Sequence, residues 1–421
     1  MFVYVINKHG EPLMPCSPRK ARLLLSAGKA QVIQRTPFTI QLLYGSAGYK
    51  QPVSLGVDAG TKHVGLSATT EKQVLFEAEV QLRTEIQDLL STRREFRQTR
   101  RHRKTRYRKA RFTNRKRKEG RLAPSIQNKV DTHVKVIKQV TQILPITRIT
   151  VEVAQFDTQL LKNPEVGGVA YQQGEQMGFW NVREYVLFRD KHTCQWCHGQ
   201  SGDKILNVHH RESRKTGGDS PDNLVTLCET CHHKIHQEGL EDQVQRKTAS
   251  LRDATQMTIL RWFVYYGIKK FYPRVKLTYG YITKNTRITH GLAKSHRVDA
   301  RCISGNPDAI PLAQTFLIRQ VRGQNRQLHK ATLLKGGVRK ANKAPRYVLG
   351  FQLFDKVRYN GQECFIFGRR SSGYFDLRLL DGTKISAGVS YKKLRLVETA
   401  STLLIDRITK KEGGKGAFLS A

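Results

Sequence analysis

Two cysteine pairs, Cys194-Gln-Trp-Cys197 and Cys228-Glu-Thr-Cys231, bracket a segment that also holds His209-His210, Asn223-Leu224, His232 and His236. Two C-x2-C pairs at this separation suit one tetrahedral zinc ion. Four thiolates complete such an ion's coordination, so the histidines are left for other work. His232 and His236 are four apart and share one face of a helix, where two imidazoles can hold a second cation. An unperturbed imidazole titrates near ~6.5, which makes a neutral base available at cellular pH. The competing reading is a zinc ribbon that only binds DNA and exposes its histidines. A ribbon has no need of four histidines and Asp222-Asn223-Leu224 at these spacings.

The order Cys-x2-Cys, His-His, Gly217-Gly218, Asp222-Asn223-Leu224, Cys-x2-Cys-His, Ile235-His236 resembles the HNH nuclease family, a ββα-metal fold. Phosphodiester hydrolysis needs a base to activate water, a cation to neutralise developing charge and a stabiliser of the leaving group. The resemblance implies His210 as the base, His209 joining His232 and His236 at a Mg2+ ion, and Asn223 bracing the loop. Successive strand residues point to opposite faces, so the division of roles between His209 and His210 stays open.

The elements that must position this cluster sit in a chain of 421 residues with 74 Lys and Arg against 34 Asp and Glu, a formal charge of +40. That length allows several domains with real cores. The charge exceeds what solubility requires and points to a polyanionic partner. A membrane surface fits less well, since no run of about twenty apolar residues exists. Met1-Phe-Val-Tyr-Val-Ile6 reads as a strand rather than a signal segment. Cys16, Cys302 and Cys364 show no pairing pattern, which suggests a reducing cytoplasm.

Residues 1–50 read as a small α/β module with a strand at Val3–Ile6, a helix at Ser17–Ala27 and strands at Val32–Ile33 and Phe38–Leu43. Val53–Asp58, Val64–Thr70 and Val74–Val80 read as three consecutive strands, the first ending on an acid. A helix follows from Thr84, with an apolar stripe of Ile86, Leu89, Leu90 and Phe96. Arg93–Lys118 then holds fifteen Arg or Lys, the single acid Glu95 and neither Gly nor Pro. Mutual repulsion makes such a helix costly unless phosphates neutralise it, and arginine forks suit bidentate phosphate contacts. A solvated charged helix or a disordered arm is the alternative. Ile149–Val153 is a strand around Glu152, Gln172–Leu187 and Val244–Ile268 are helices, Val275–Thr283 is a strand, and His296–Ile303 is a helix. Residues from Asn306 are basic and loop-rich. Residues 347–397 read as all-β, with hairpin signals at Asn360-Gly361 and Asp381-Gly382; a small barrel of SH3-like size closes them most simply.

A second set of ligands is scattered: Asp58, Glu152, and His296 with Asp299. Singly, each is more often a cap or a surface acid. In order, strand-Asp, basic helix, strand-Glu, inserted HNH segment and His-x2-Asp-Ala resemble a split RuvC nuclease of RNase H-like α/β fold. Converging carboxylates could hold two Mg2+ about 3.5–4 Å apart, since hard oxygen donors fit Mg2+ better than zinc.

RuvC split by an arginine-rich helix and an HNH insertion is the plan of the type II CRISPR effectors. With Pro12-Leu13-Met14-Pro15 near the start and no room for a large helical lobe, the chain resembles the compact, transposon-associated IscB family instead. The resemblance implies a PLMP module at 1–50, RuvC parts at 51–83, 121–182 and 241–305, and a bridge helix at 84–120. It places the HNH nuclease at 183–240, a basic RNA-binding linker at 306–346 and a C-terminal β module at 347–421. It further implies an ωRNA guide, target duplex DNA with an adjacent motif, structural Zn2+, catalytic Mg2+, and a monomer within a nucleoprotein of the prokaryotic, nucleoid-bearing cytoplasm. HNH would cut the guide-paired strand and RuvC the displaced one. Nucleic-acid contacts are expected from Arg93, Arg94, Arg97, Arg100, Arg101, Arg103, Arg106, Arg108, Arg111, Arg115, Arg322, Arg326 and Lys340. Two other classes compete: a free-standing HNH endonuclease of homing or restriction type, and a non-enzymatic nucleic-acid binder. The first leaves Asp58, Glu152 and Asp299 without a purpose, and the second does not need them intact with His210.

Overall fold

The computed structural model describes residues 2–46, 48–101, 121–153, 179, 181–212, 221–244, 252–323, 345–409 and 417–418. The chain divides into two compact units, 1–154 with 259–421, and 155–258.

The first unit begins with β1 (Tyr4–Ile6), α1 (Pro18–Ser26), β2 (Ala30–Gln34) and β3 (Thr39–Leu42), in a sheet of order β1-β3-β2. Ser17 accepts the Lys20 N–H to cap α1, and Pro18 opens the helix. Next come β4 (Ser54–Asp58), β5 (His63–Thr69) and β6 (Val74–Gln81), an antiparallel run, then α2 (Ile86–Arg101), α3 (Pro124–Ile143) and β7 (Arg148–Val153). The second unit contributes α4 (Val182–Arg189), β8 (Leu206–His210), β9 (Leu224–Cys228) and α5 (Glu229–Glu238). The chain continues through α6 (Arg252–Lys269), β10 (Lys276–Tyr279), α7 (Gly280–Thr289), α8 (His296–Ser304) and β11 (Gln314–Gln320). It ends with β12 (Lys356–Tyr359), β13 (Gln362–Arg369), β14 (Tyr374–Arg378), β15 (Lys384–Ser390), β16 (Arg395–Glu398), β17 (Leu403–Thr409) and β18 (Ala417–Phe418).

An eight-stranded mixed sheet of order β10-β7-β4-β5-β6-β11-β17-β18 organises the first unit. Leu55 and Val57 of β4 and Ile149 and Val151 of β7 pack with Val136, Ile137 and Val140 of α3 and Leu260, Val264 and Ile268 of α6. Each such side chain contributes about 1.5–3 kcal/mol on burial. Strand alternation turns Gly56, Asp58 and Glu152 to the other face. There α8 lies directly on β4 and β5. A Cβ at Gly56 would sit 1.9 Å from the Ala300 carbonyl oxygen, and one at Gly65 would sit 1.8 Å from that of His296. Only glycine lets the helix start come this close to Asp58, whose partner across the ladder is Gly65.

β12 to β16 form an antiparallel sheet of order β15-β14-β13-β12-β16. Asn360 and Gly361 both take positive φ, 48° and 77°, and turn β12 into β13. Lys356 is 3% exposed. Its Nζ lies 2.9 Å from Glu363 and 3.1 Å from Asp406 of β17. Removing one partner of a buried ion pair strands the others. Lys356→Met is therefore expected to destabilise this region by about 3–5 kcal/mol, seen as a lower denaturant midpoint; an unchanged midpoint would show the pair contributes nothing.

The structure departs from the sequence reading between Val275 and Thr283. The strand stops at Tyr279 and α7 starts at Gly280. β-branched Ile282 and Thr283 carry strand propensity, but Gly280 abuts Glu152, where a Cβ would lie 3.3 Å from Oε1, and the chain turns there. In the expected helices at Gln172–Leu187 and Val244–Ile268, helix is described for Val182–Arg189 and Arg252–Lys269; residues 172–178, 180 and 245–251 lie outside the described residues. No described helix is long and apolar enough to cross a membrane.

Candidate metal centres

In the second unit β8 and β9 pair antiparallel and lead into α5, a ββα arrangement. The register sets His209 opposite Val225 and His210 opposite Leu224. Cys194 and Cys197 follow α4, Cys228 ends β9 and Cys231 lies in the first turn of α5. The four sulfurs all lie within 4.8 Å of one another, and Cys197 and Cys228 are 3.8 Å apart. Tetrahedral zinc with Zn–S bonds of about 2.3 Å needs sulfur–sulfur edges of about 3.8 Å. The donor set fits Zn2+. Hydrogen bonding with Ser201 holds the Cys197 thiol below its usual range, at about 6.

Asn223 is fully buried, at 0% exposure. Its amide is a staple: Oδ1 accepts the Glu212 N–H at 2.8 Å and Nδ2 donates to the Glu212 carbonyl at 3.0 Å. Arg211 N–H donates to the Asn223 carbonyl at 2.8 Å. These bonds tie the segment leaving His210 to the start of β9. Beneath it, Arg189 pairs with buried Asp190 and donates to the carbonyls of Pro221 and Leu224.

The ring nitrogens of His209, His232 and His236 fall within 4.8 Å of one another. His232 and His236 come from one face of α5, as their spacing requires, and His209 reaches them from β8. Burial, reinforced by His236 and His233, pushes the His232 pKa down and keeps its lone pair available. His210 stands outside this group, and alternation along β8 turns it the other way from His209. Three imidazoles can hold a divalent cation. Nitrogen donors favour a borderline ion such as Zn2+, Co2+ or Ni2+ over Mg2+, which prefers oxygen.

The acids of the first unit are arranged differently. Asp58 ends β4 and Glu152 lies in β7, both 6% exposed. His296 and Asp299 occupy the first turn of α8, which Ser295 caps through the Val298 N–H. His296 Nδ1 lies 2.7 Å from Asp58 Oδ2, and this bond raises the imidazole's pKa. Burial raises the carboxyls of Glu152 and Asp299, and Asp58 adds repulsion to both. Three carboxylates with oxygen donors suit a hard cation such as Mg2+. Their donor atoms do not form one group of the kind the cysteines and histidines make; each acid is already matched to a positive side chain.

Those side chains escaped the sequence reading. Arg261, 7% exposed on α6, anchors its Nε on the Ala59 carbonyl at 2.8 Å. Its guanidinium reaches Glu152 at 2.8 Å and Asp58 at 3.7 Å. Arg287 of α7 lies 2.9 Å from Asp299, and His63 stacks on His296 with ring centroids 5.5 Å apart. The one signal in the sequence was an arginine standing between Leu260 and Val264 in an apolar helical period.

Of the expected nucleic-acid contacts, Arg93 and Arg94 are exposed on α2, and Arg322 is half-buried after β11. Arg103, Arg106, Arg108, Arg111, Arg115, Arg326 and Lys340 lie outside the described residues, as do the side chains of Arg97, Arg100 and Arg101.

Two families match the chain. One, described as RRXRR protein, covers residues 3–174; the other, HNH endonuclease, covers residues 194–238. Among solved structures, Cas9 of Streptococcus thermophilus in complex with AGGA PAM aligns at 13% identity over 56% of this chain and 32% of that one. The chain thus spans about a third of that protein. The TM-score of 0.34 is too low for the likeness to carry weight. No curated protein matches.

Proposed function

This chain is an IscB/Cas9-like HNH nuclease by the two family segments it carries, and from that premise we propose that it is an RNA-guided endonuclease cutting both strands of DNA. The observation that carries the reading is the presence, on separate units of one chain of charge +40, of a histidine cluster and an acidic cluster of different chemistry. One such site suffices for a free-standing endonuclease. Two sites of unlike donors suit two strands in unlike states.

In this reading His210 accepts a proton from water as the water oxygen bonds to phosphorus, the ester P–O bond on the far side breaks, and the departing oxygen takes up a proton from solvent. His209, His232 and His236 hold a divalent cation, and Asn223 keeps His210 in place. The eight-stranded sheet is the RuvC domain, with Asp58, Glu152 and Asp299 holding Mg2+ and His296 orienting Asp58. A bound cation at either site would supply charge neutralisation on the phosphate. Structural Zn2+ sits among the four cysteines. The arginine-rich segment after Ile86 holds ωRNA phosphates, as do Arg322, Arg326 and Lys340. The β12–β16 sheet, an SH3-like module, meets the motif beside the target. Base pairing then specifies the sequence and the protein supplies charge and shape recognition. The nucleoprotein contains one copy of the chain and works at the nucleoid, in a prokaryotic cytoplasm.

The test is cleavage of a guide-matched duplex with each strand labelled separately. His210→Ala should slow cutting of the guide-paired strand by about 10²–10⁴-fold, the usual contribution of a general base, and leave the displaced strand cut. Loss of both cuts with DNA binding intact would break the assignment of two sites. Full activity of the RNA-free protein would favour the free-standing endonuclease.

A further inference from the structure

Asp58, Gly65 and Glu79 stand opposite one another across β4, β5 and β6, and directly opposed residues share a face of the sheet. His63, two residues before Gly65, belongs to that same face. Helix α8 rests on the row at Gly65, where a Cβ would lie 1.8 Å from the His296 carbonyl oxygen. Two imidazoles, each beside one of the row's acids, meet here. His296 reaches Asp58 Oδ2 through Nδ1 at 2.7 Å. His63 sets its Nδ1 3.0 Å from Glu79 Oε1, closed off from solvent but without the alignment of a hydrogen bond. The two rings are 7° from parallel with centroids 5.5 Å apart, an offset stack. Their side chains are 39% and 43% exposed for His63 and His296. Rings this open are not fixed by core packing, so the contacts at their edges and faces set their direction. Asp58 is also contested: while His296 holds Oδ2, Arg261 lies 3.7 Å from Oδ1. If His296 turned away, that carboxylate would be left to the guanidinium.

We propose that His63 is a positioning residue: drawn in by Glu79, its ring stacks on His296, keeps that imidazole against Asp58 and so holds the Asp58 carboxylate in its place. Glu79 attracts one edge of His63 without a directional bond, and the flat face of His63 limits how far His296 can turn. The role therefore needs a flat ring at position 63 more than it needs a nitrogen there. The inference rests on the reading of the acidic cluster as a nuclease site.

The experiment uses the full-length protein with its RNA and a guide-matched duplex with each strand labelled. His63→Leu should lower kcat for the displaced strand about 10–10²-fold, the cost of a small misplacement at a reacting centre. KM and cutting of the guide-paired strand should not change. His63→Phe should recover most of the lost rate. His63→Leu combined with His296→Ala should be no slower than His296→Ala alone, because residues that act through one another are not additive. A second readout needs neither metal nor cleavage. The proton on His296 Nδ1 should give a low-field NMR signal that is missing from His296→Ala, is lost in His63→Leu and returns in His63→Phe. A Leu variant with wild-type kcat and an intact signal, a Phe variant as impaired as the Leu variant, or additive effects in the double variant would overturn the positioning role. A raised KM with kcat intact would also overturn it, by making His63 a substrate contact. Displaced-strand cutting that survives in Asp58→Ala would instead overturn the nuclease reading of the acids. The metal-free signal would still report the stack, so the two failures are distinguishable.

Discussion

Asp58→Ala should bind guide and target, cut the guide-paired strand normally, and cut the displaced strand about 10⁴-fold more slowly, equivalent to the several kcal/mol a catalytic cation supplies. Asp58 is the hub of the acidic cluster. It takes the His296 Nδ1 contact at 2.7 Å, lies 3.7 Å from Arg261, and adds to the raised carboxyl pKa values of Glu152 and Asp299. Deleting its carboxylate removes one of the three carboxylates proposed to hold a cation. It also leaves Arg261 and His296 with less compensation, and a broken buried pair costs about 3–5 kcal/mol. Asp58→Asn separates these effects, because the amide keeps the shape and an acceptor for His296 but is a poor cation ligand. Both variants should lose displaced-strand cutting, and the Asn variant should retain more of the thermal stability. Strand-resolved cleavage and melting curves decide the matter. Unchanged double-strand cutting by either variant would remove Asp58 from the chemistry.

The two sites differ in how far a sequence discloses them, and the difference is one of contact range. The histidine cluster is compact in sequence. Spacing alone puts His232 and His236 on one helical face; that His209 converges with them is implied only by the resemblance to HNH nucleases. The four cysteines likewise converge because each pair is locally constrained. The acids come from β4, β7 and α8, far apart in the chain. Their approach depends on Gly56 and Gly65 admitting α8, a requirement visible only once the backbones are in contact. Arg261 illustrates the limit further. Periodicity identifies Leu260 and Val264 as buried, but cannot say that the arginine beside them ends against Asp58 and Glu152. At Gly280 local propensity pointed the wrong way, because packing against Glu152 outweighs the strand preference of Ile282 and Thr283. Asn360-Gly361 was legible for the opposite reason: its turn is set by the backbone preferences of those two residues.

Cys228→Ser should have a different effect from any active-site change, because it removes one of the four thiolates proposed to hold a structural Zn2+ in the second unit. Cys228 is 1% exposed, ends β9 and precedes the first turn of α5. Its sulfur lies 3.8 Å from that of Cys197 and 3.1 Å from the Ser201 hydroxyl. A serine hydroxyl stays protonated at neutral pH and cannot replace the thiolate as a zinc ligand. Among the described residues the apolar core around the cage is small: Val225, Leu227, Ile235 and Val244 with the cysteines themselves, and Trp196, Leu206 and Leu240 packed against them. Structural zinc contributes on the order of 10–16 kcal/mol in small metal-folded modules, more than such a core can supply. Zinc content by elemental analysis should fall from about one ion per chain toward zero, and the segment around β8 and α5 should become protease-sensitive. Guide-paired-strand cutting should disappear, because His209 and His210 lose the frame that the β8–β9 ladder and Asn223 give them. Displaced-strand cutting should survive, since Asp58, Glu152 and Asp299 belong to the other unit. His210→Ala, by contrast, should keep its zinc and its protease resistance. Full zinc content in Cys228→Ser would mean that the four cysteines are not the ligands, and zinc loss with normal cutting of the paired strand would mean that the cage does not support the histidine centre.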